Sequence, residues 1–579
     1  MRLRHLALFT CLVSLATAKP ALELHVALDG KAGNPGTIEA PLTFGAAIDK
    51  ARDFLSKPNR PKTGGLEIII SAGRYPVTKA YRLGPEFQGS KDFPITIRAA
   101  KDAEVLFDGQ AGIEDLSAFK PVTDESERAR LAESARDQVL VQKVTSDALH
   151  HNLARRVSAS INIDGQPWVA SAYPNEGYAF LDPKPAIPEI CPPGIPKKDQ
   201  AYRVRAGKPP HQEPGKPRGW LGSMKEPRGA HARILDRSPA RAGSWQQWQD
   251  EIARLTGRQE FMGFYEAVWK ESRMPIKAVD AEKQTIHLPL VFSYGFGWLN
   301  DQPFRVFGLL CEVDQPGEWH YDPSSRKLYL IPPKPLDQIK SIGAPVAQGF
   351  LDLDRTRHVS IHGITVQNIA GGSVIRLING SHNLVAGCTF RSSLARGIEV
   401  GGTQNRILGC DFIDLHGHIN LSGGRRSVTE ITPGHNLVEN CHFYHKRFTQ
   451  TKVRVAIGGV GNTFRRNLVH NSIGQAVTVS GNDHLLELNE LFNIGYEEGD
   501  GAAIYSGADL AGYGNVYRHN FLHHLIRTPD KRLGRAGIML DDHQAGGTIE
   551  GNVFFKSCTA AVQINCGAGN IVRNNVFLE

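Results

Sequence analysis

Arg466-Asn467-Leu468-Val469, Leu488-Asn489-Glu490-Leu491, His519-Asn520-Phe521-Leu522, Gly551-Asn552-Val553-Phe554 and Asn574-Asn575-Val576-Phe577 are five copies of one short pattern. Upstream the same pattern returns with Cys in the Asn position, in Gly387-Cys388-Thr389-Phe390, Gly409-Cys410-Asp411-Phe412 and Asn440-Cys441-His442-Phe443. It begins with Ile there, in Gly363-Ile364-Thr365-Val366. The shared position falls at 364, 388, 410, 441, 467, 489, 520, 552 and 575, in steps of 24, 22, 31, 26, 22, 31, 32 and 23 residues. A basal step of 22–24 residues fits one coil of a parallel β-helix, and the longer steps carry loops. A leucine-rich repeat has a similar period, but its L-x-x-L-x-L pattern is missing.

Between the copies lies a second strand of each coil, such as Gly397-Ile398-Glu399-Val400, Ala503-Ile504-Tyr505-Ser506 and Gly537-Ile538-Met539-Leu540. Apolar residues alternate there at period two, so one face is buried and one is open. Stacked coils lie about 4.8 Å apart, which puts equivalent positions on top of one another. Asn467, Asn489, Asn520, Asn552 and Asn575 are thereby predicted to form a hydrogen-bonded ladder. Cys388, Cys410 and Cys441 are predicted to be small buried thiols in the same slot rather than a metal or redox centre.

Working outward, the fold class is all-β: a right-handed, single-stranded parallel β-helix with an N-terminal capping helix and an inserted β-rich domain. The helix follows Thr43, with Phe44, Ala47, Ile48, Ala51, Phe54 and Leu55 on one stripe. Strand-like runs at Leu66–Ser71, Ile95–Ala99 and Val105–Asp108 begin the coils, giving a first segment over 19–110. Residues 111–345 break the rhythm and read as the insertion, with a Pro/Gly-rich basic loop at 190–245; coils resume over 346–579. The chain stops inside a coil at Phe577-Leu578-Glu579 with no polar cap, so truncation or a covering partner is expected there.

The net charge of +8 is concentrated: residues 191–241 hold 12 Lys and Arg against 4 acids, so the rest of the chain is balanced. That distribution argues against a nucleic-acid partner and suits either a solvated loop or a grip on an acidic polysaccharide. Residues 1–18 read as a signal peptide, with Arg2 and Arg4, an apolar run from Leu6 to Leu15, and cleavage near Ala18. A secreted or periplasmic protein without a membrane span is expected. The oligomeric state stays open.

Polar density peaks on two consecutive coils, in Glu497-Glu498-Gly499-Asp500-Gly501 through Tyr505 to Asp509, and in Asp541-Asp542-His543. Neighbouring carboxylates repel when both are ionised, which raises one pKa and leaves an acid beside a base or nucleophile, as glycoside hydrolysis needs. Asp500 and Asp541 are the candidate catalytic pair, with Tyr505, Asp509, Asp542 and His543 as substrate-binding residues. With Ile504 set against Ile538, however, Asp500 lies four residues before the slot and Asp541 three after. Fully extended chain would separate them by roughly 23 Å, so a turn at Gly499 or Gly501 must fold Asp500 back. Asp509 is nearer in that register and is a rival member of the pair. No cofactor is required; a calcium site built from Asp500, Asp509, Asp541 and Asp542 is the metal alternative. No HExxH or other regular zinc spacing occurs.

Several stretches resemble exported β-helix proteins like glycoside hydrolase family 141. They are Asp29 to Thr37 with Pro41, Ile68 to Tyr75, Ala172 to Gly177, Pro316 to Asp322, Gly499 to Gly507, and Leu540-Asp541-Asp542. The resemblance implies an interrupted β-helix acting on plant or algal polysaccharides, with α-L-fucosidase or xylanase activity. It also implies that the paired aspartates fall on Asp500 and Asp541. The basic 191–241 stretch and Ala508-Asp509-Leu510 depart from the pattern. Two other readings compete: a lyase on the same scaffold, with Lys446, Arg447, Lys452 or Arg454 as base, and a non-catalytic carbohydrate-binding or surface protein.

Overall fold

The computed structural model describes residues 20–155, 161–180, 230–233, 243–255, 257–267, 269–288, 303–427, 429–446, 452–495, 498–525, 535–557 and 559–578. The leader expected at 1–18 and most of the basic 191–241 stretch lie outside these residues, as does Arg447.

Parallel strand pairing generates three faces. One is a 12-stranded parallel sheet running from Leu22–Val26 through Leu66–Ile70, Ile95–Ala99 and Val359–His362 to Ile571–Arg573. The other two are joined as a 19-stranded sheet, because Thr389–Val400 and Asp411–Leu421 run around the corner between them. The second face carries Gly73–Pro76, Val105–Asp108, Ile364–Gln367 and onward to Val576–Leu578. The third carries Tyr81–Leu83, Leu351–Asp354 and onward through Gly501–Ser506 and Arg535–Leu540 to Ala560–Ile564.

The repeat register survives in three dimensions. Thr365 pairs with Thr389, Thr389 with Asp411, Asp411 with His442 and His442 with Leu468, so Ile364, Cys388, Cys410, Cys441 and Asn467 stack one residue earlier. The three cysteines are 1–2% exposed and unbridged. Burial raises the Cys388 and Cys410 thiols well above their ordinary range, which makes them packing groups rather than nucleophiles. In the asparagine ladder, Asn489 Nδ2 donates to Asn520 Oδ1 at 2.9 Å, and Asn520 Nδ2 donates to Asn552 Oδ1 at 3.0 Å. Each side chain also takes the backbone N–H of the coil before, as Asn520 Oδ1 does from Asn489 N at 3.0 Å. Asn520→Ala leaves several buried groups unpaired at once. It is expected to cost about 1–3 kcal/mol of unfolding free energy, read by chemical denaturation.

A second ladder runs at another corner. Asn383, Asn405, Asn436 and Asn462 are linked amide to amide at 2.9–3.1 Å, and the next position is His484, whose Nδ1 accepts from Asn462 N at 3.2 Å. Asn515 then accepts from His484 N. The ladder thus tolerates one imidazole because Nδ1 can replace the amide oxygen, and burial lowers the His484 pKa, which favours the neutral ring that can accept.

The helix Phe44–Leu55 forms where expected, N-capped by the Thr43 side chain on Ala46 N. It closes the first coils by burying Phe44, Ala47, Ile48, Ala51 and Leu55, with Phe44 packed against Phe107 and Phe350. At the other end Ile564, Ile571, Val572, Val576, Phe577 and Leu578 are 42–56% exposed.

The coil opened by Ile95–Ala99 and Val105–Asp108 is completed by Leu351–Asp354. The intervening chain forms smaller antiparallel sheets, and its neck is the pairing of Gln110–Gly112 with Ile342–Pro345. Within it the Ala172 and Pro316–Asp322 stretches do structural work. The Glu318 carboxylate accepts from the backbone N–H groups of Ala172, Asp314 and Gln315, and burial pushes it up to about 8. Trp319 is buried in the core of that region. No helix among the described residues is long and apolar enough to cross a membrane.

Candidate active site

The site lies on the third face, where Gly501–Ser506 pairs with Arg535–Leu540. Ile504 pairs with Ile538 and Ser506 with Leu540, the register read from the repeats. Ile504 and Ser506 point inward and are essentially buried, so Tyr505 between them faces out. Asp541 N donates to Ser506 O at 2.8 Å, which fixes Asp541 beside Gly507 as the strands end. Tyr505 Oη donates to Asp541 Oδ2 at 3.0 Å, and Asn565 Nδ2, from the following coil, donates to Oδ1 at 2.7 Å. Gly507 is required here. A Cβ at that position would lie 2.6 Å from Tyr505 Oη and 3.0 Å from Asp541 Cβ.

Past Asp541 the backbone enters the left-handed region at Asp542 and His543, with φ of 41° and 68°. Buried Gln544 pins this turn: it accepts from Ser506 Oγ at 3.0 Å and donates to Gly512 O at 3.0 Å. His543 is left exposed.

Asp500 sits in the turn that precedes the strand Gly501–Ser506. Its φ is 44°, a left-handed conformation in which Asp is tolerated better than most residues. The turn hangs on buried Glu498. Glu498 N donates to Ile473 O at 3.1 Å, its Oε2 accepts from Gln475 N at 2.8 Å, and its Oε1 pairs with Lys452. Gly474 makes room for it, since a Cβ there would lie 1.9 Å from Glu498 Oε2. Burial lifts the Glu498 pKa more than the Lys452 and Arg535 charges lower it.

Asp500 feels the charges of the next coil. The Asp500 pKa is raised, first by burial and then by the charges of Asp541 and Asp542. Tyr505 is likewise raised by burial and by the charge of its acceptor, Asp541. Tyr505 and Asp541 are thus in direct contact, and Asp500 is near enough to Asp541 and Asp542 to feel their charges.

Asp509 is drawn elsewhere. Its carboxylate pairs with Arg426 at 2.8 Å and accepts from Gly481 N at 2.7 Å. Those partners overcome its burial and hold its pKa below the usual carboxylate range. It ties the hairpin of Gly424–Arg426 and Ile431–Pro433 to the coil. Among the described residues no three His, Cys, Asp or Glu side chains gather as a metal-binding group.

Lys452 is occupied by Glu498, and Lys446 faces a different groove. Arg454 is exposed, and its N–H donates to His418 Nδ1 at 3.2 Å. Reading the sequence missed Asn565, Gln544 and the Glu498–Lys452 pair. The repeat register carries a signal for Asn565 alone: it follows Ile564 as Asp541 follows Leu540.

A family model described as the right handed beta helix region matches residues 428–577. The chain is similar to a solved structure named "Glycoside hydrolase", with 13% identity, 96% of each chain covered and a TM-score of 0.64. It is more distantly similar to XylC in complex with xylose (10% identity, 96% of this chain and 86% of that chain, TM-score 0.41). The same holds for a GH136 lacto-N-biosidase from Eubacterium ramulus (9% identity, 96% and 68%, TM-score 0.33). No curated protein matches the chain. The family-model match and the likeness to the first of these structures bear on architecture alone, and with the strand pairing they show that the chain is a right-handed parallel β-helix interrupted by a β-rich insertion.

Proposed function

We propose that the protein is an exported glycoside hydrolase acting on a plant or algal polysaccharide or its oligosaccharides, through Asp500 and Asp541. The observation that carries this reading is the raised proton affinity of Asp500, caused by burial and by Asp541 and Asp542 on the next coil. A carboxyl that holds its proton more tightly than usual, beside a second carboxyl, suits protonation of a leaving glycosidic oxygen. Asp500 is thus the acid. Asp541, oriented on both oxygens by Tyr505 and Asn565, is the nucleophile or the base that activates water. Asp542 contributes negative charge, and exposed His543 lies where a sugar hydroxyl can reach it. The resemblance of Gly499 to Gly507 and Leu540-Asp541-Asp542 to glycoside hydrolase family 141 supports the same assignment and points to fucosyl- or xylosyl-containing glycans.

The test is reducing-sugar release by the wild type and Asp500→Asn across aryl glycosides and plant and algal polysaccharides. Release from at least one glycan, lost in the variant, is expected. Equal release by both proteins contradicts the assignment, and saccharide binding without release by the wild type favours a binding protein.

A further inference from the structure

A second concave site lies away from the aspartates, where the insertion overhangs the open side of the second face. The groove encloses about 310 Å³, at the small end of ligand pockets and enough for one or two sugar rings. Its wall is cationic. Arg74 and Arg391 rise from β-helix strands, Lys446 follows the strand His442–Tyr444, and Lys340 comes from the insertion. The acid in the lining, Asp164, is already satisfied. It pairs with Lys334 at 2.6 Å and accepts from the backbone N–H groups of Lys340 and Ser341 at 2.7 and 3.0 Å. Lys340 and Lys446 have no carboxylate partner among the described residues.

The two arginines are held ready by a buried network. Asp108, 4% exposed, pairs with Arg74 at 2.7 Å and accepts from Gln367 Nε2 at 2.7 Å. Gln367 Oε1 then accepts from Arg391 Nε at 2.8 Å, and among the described residues the terminal nitrogens of Arg391 have no carboxylate partner. Asp108 also accepts from Asn368 Nδ2 at 2.9 Å, and Asn368 Oδ1 accepts from Asn162 of the insertion at 2.9 Å. One network thus both docks the insertion and orients the guanidinium groups, so little ordering is left to be done on binding. Gln166, Ser341 and Ser392 add neutral hydrogen-bonding groups around the cations, as sugar hydroxyls require.

We infer that this groove is a binding site for an anionic saccharide unit, a sugar bearing a carboxylate or a sulfate, separate from the site of Asp500 and Asp541. The saccharide part rests on the proposed function; the oxyanion part rests on the groove itself.

Calorimetric titration of the full chain with digalacturonate, a sulfated disaccharide, xylobiose and inorganic sulfate tests it. Carboxylated or sulfated disaccharide is expected to bind, more weakly as salt rises, and xylobiose is expected not to bind at this site. Arg391→Ala and Lys446→Ala are each expected to weaken that binding about tenfold or more, while Asp541→Asn leaves it unchanged. Whichever disaccharide binds identifies the anion. Three outcomes would overturn the inference: no binding of either anionic sugar, binding indifferent to both cation variants, or inorganic sulfate binding as tightly as the sugars. If groove binding persists while no glycan is hydrolysed, the hydrolase reading fails and the groove stands.

Discussion

Asp541→Asn is expected to lower turnover of the responsive glycan by about 10²–10⁴-fold, the usual weight of a positioned acid, base or nucleophile. The substitution keeps the side chain's shape, and the fold is expected to persist because Ile538 and Leu540 of the same strand stay buried. Its second consequence is at Asp500. The Asp541 charge is one reason the Asp500 proton is retained, so residual activity in the variant should fall off at lower pH than in the wild type. The sign for stability follows from the same shift. A carboxyl whose pKa is raised in the folded state stabilises the fold below its unfolded pKa and loses that contribution as pH rises through its folded value. Asp500 therefore weighs against stability at neutral pH, and both Asp500→Asn and Asp541→Asn are expected to relieve that penalty. Thermal unfolding at neutral and acidic pH checks it: a variant advantage at pH 7 should vanish in acid.

Lys452→Ala is expected to be the most destabilising single change near the site, by about 3–5 kcal/mol at neutral pH. It strands the buried Glu498 carboxylate, which is 1% exposed. The loss should shrink as the solution is acidified, because the orphan carboxyl can then take a proton whose affinity burial has already raised. Activity should fall with it, since the Glu498 turn presents Asp500. The double variant Lys452→Met with Glu498→Gln removes both charges and should recover much of the stability. Denaturation curves of the two variants at pH 7 and pH 5 separate these outcomes.

The scaffold was legible in the sequence because a solenoid repeats its packing problem every coil. The slot of Cys388, Cys410, Cys441 and the five asparagines was readable residue by residue, since one backbone geometry selects one side-chain type at each level. The same reasoning had the means to find the ladder of Asn383, Asn405, Asn436 and Asn462, where His484 interrupts the run of identical residues. The pairing of Ile504 with Ile538 was also readable, and it places Asp541 beside Gly507.

A turn near Asp500 was anticipated from extended-chain arithmetic, but what holds it lay beyond reach: the long-range contacts of Ile473, Gln475 and Lys452 with Glu498. The ion pair of Asp509 was hidden for the complementary reason. Register counts distance along strands, whereas this pair joins it to Arg426, 83 residues away. The cationic groove was equally hidden, because Arg74, Lys340, Arg391 and Lys446 converge only once the insertion folds over the coils.

The central claim is that Asp500 and Asp541, far apart in extended chain, act on each other across adjacent coils. Carbon-13 titration of the Asp500 carboxyl in the wild type and in Asp541→Asn tests it most directly. The account predicts a pKa above the ordinary aspartate range in the wild type, moving down when Asp541 loses its charge. An ordinary Asp500 pKa in the wild type, or a raised one indifferent to Asp541→Asn, would contradict it.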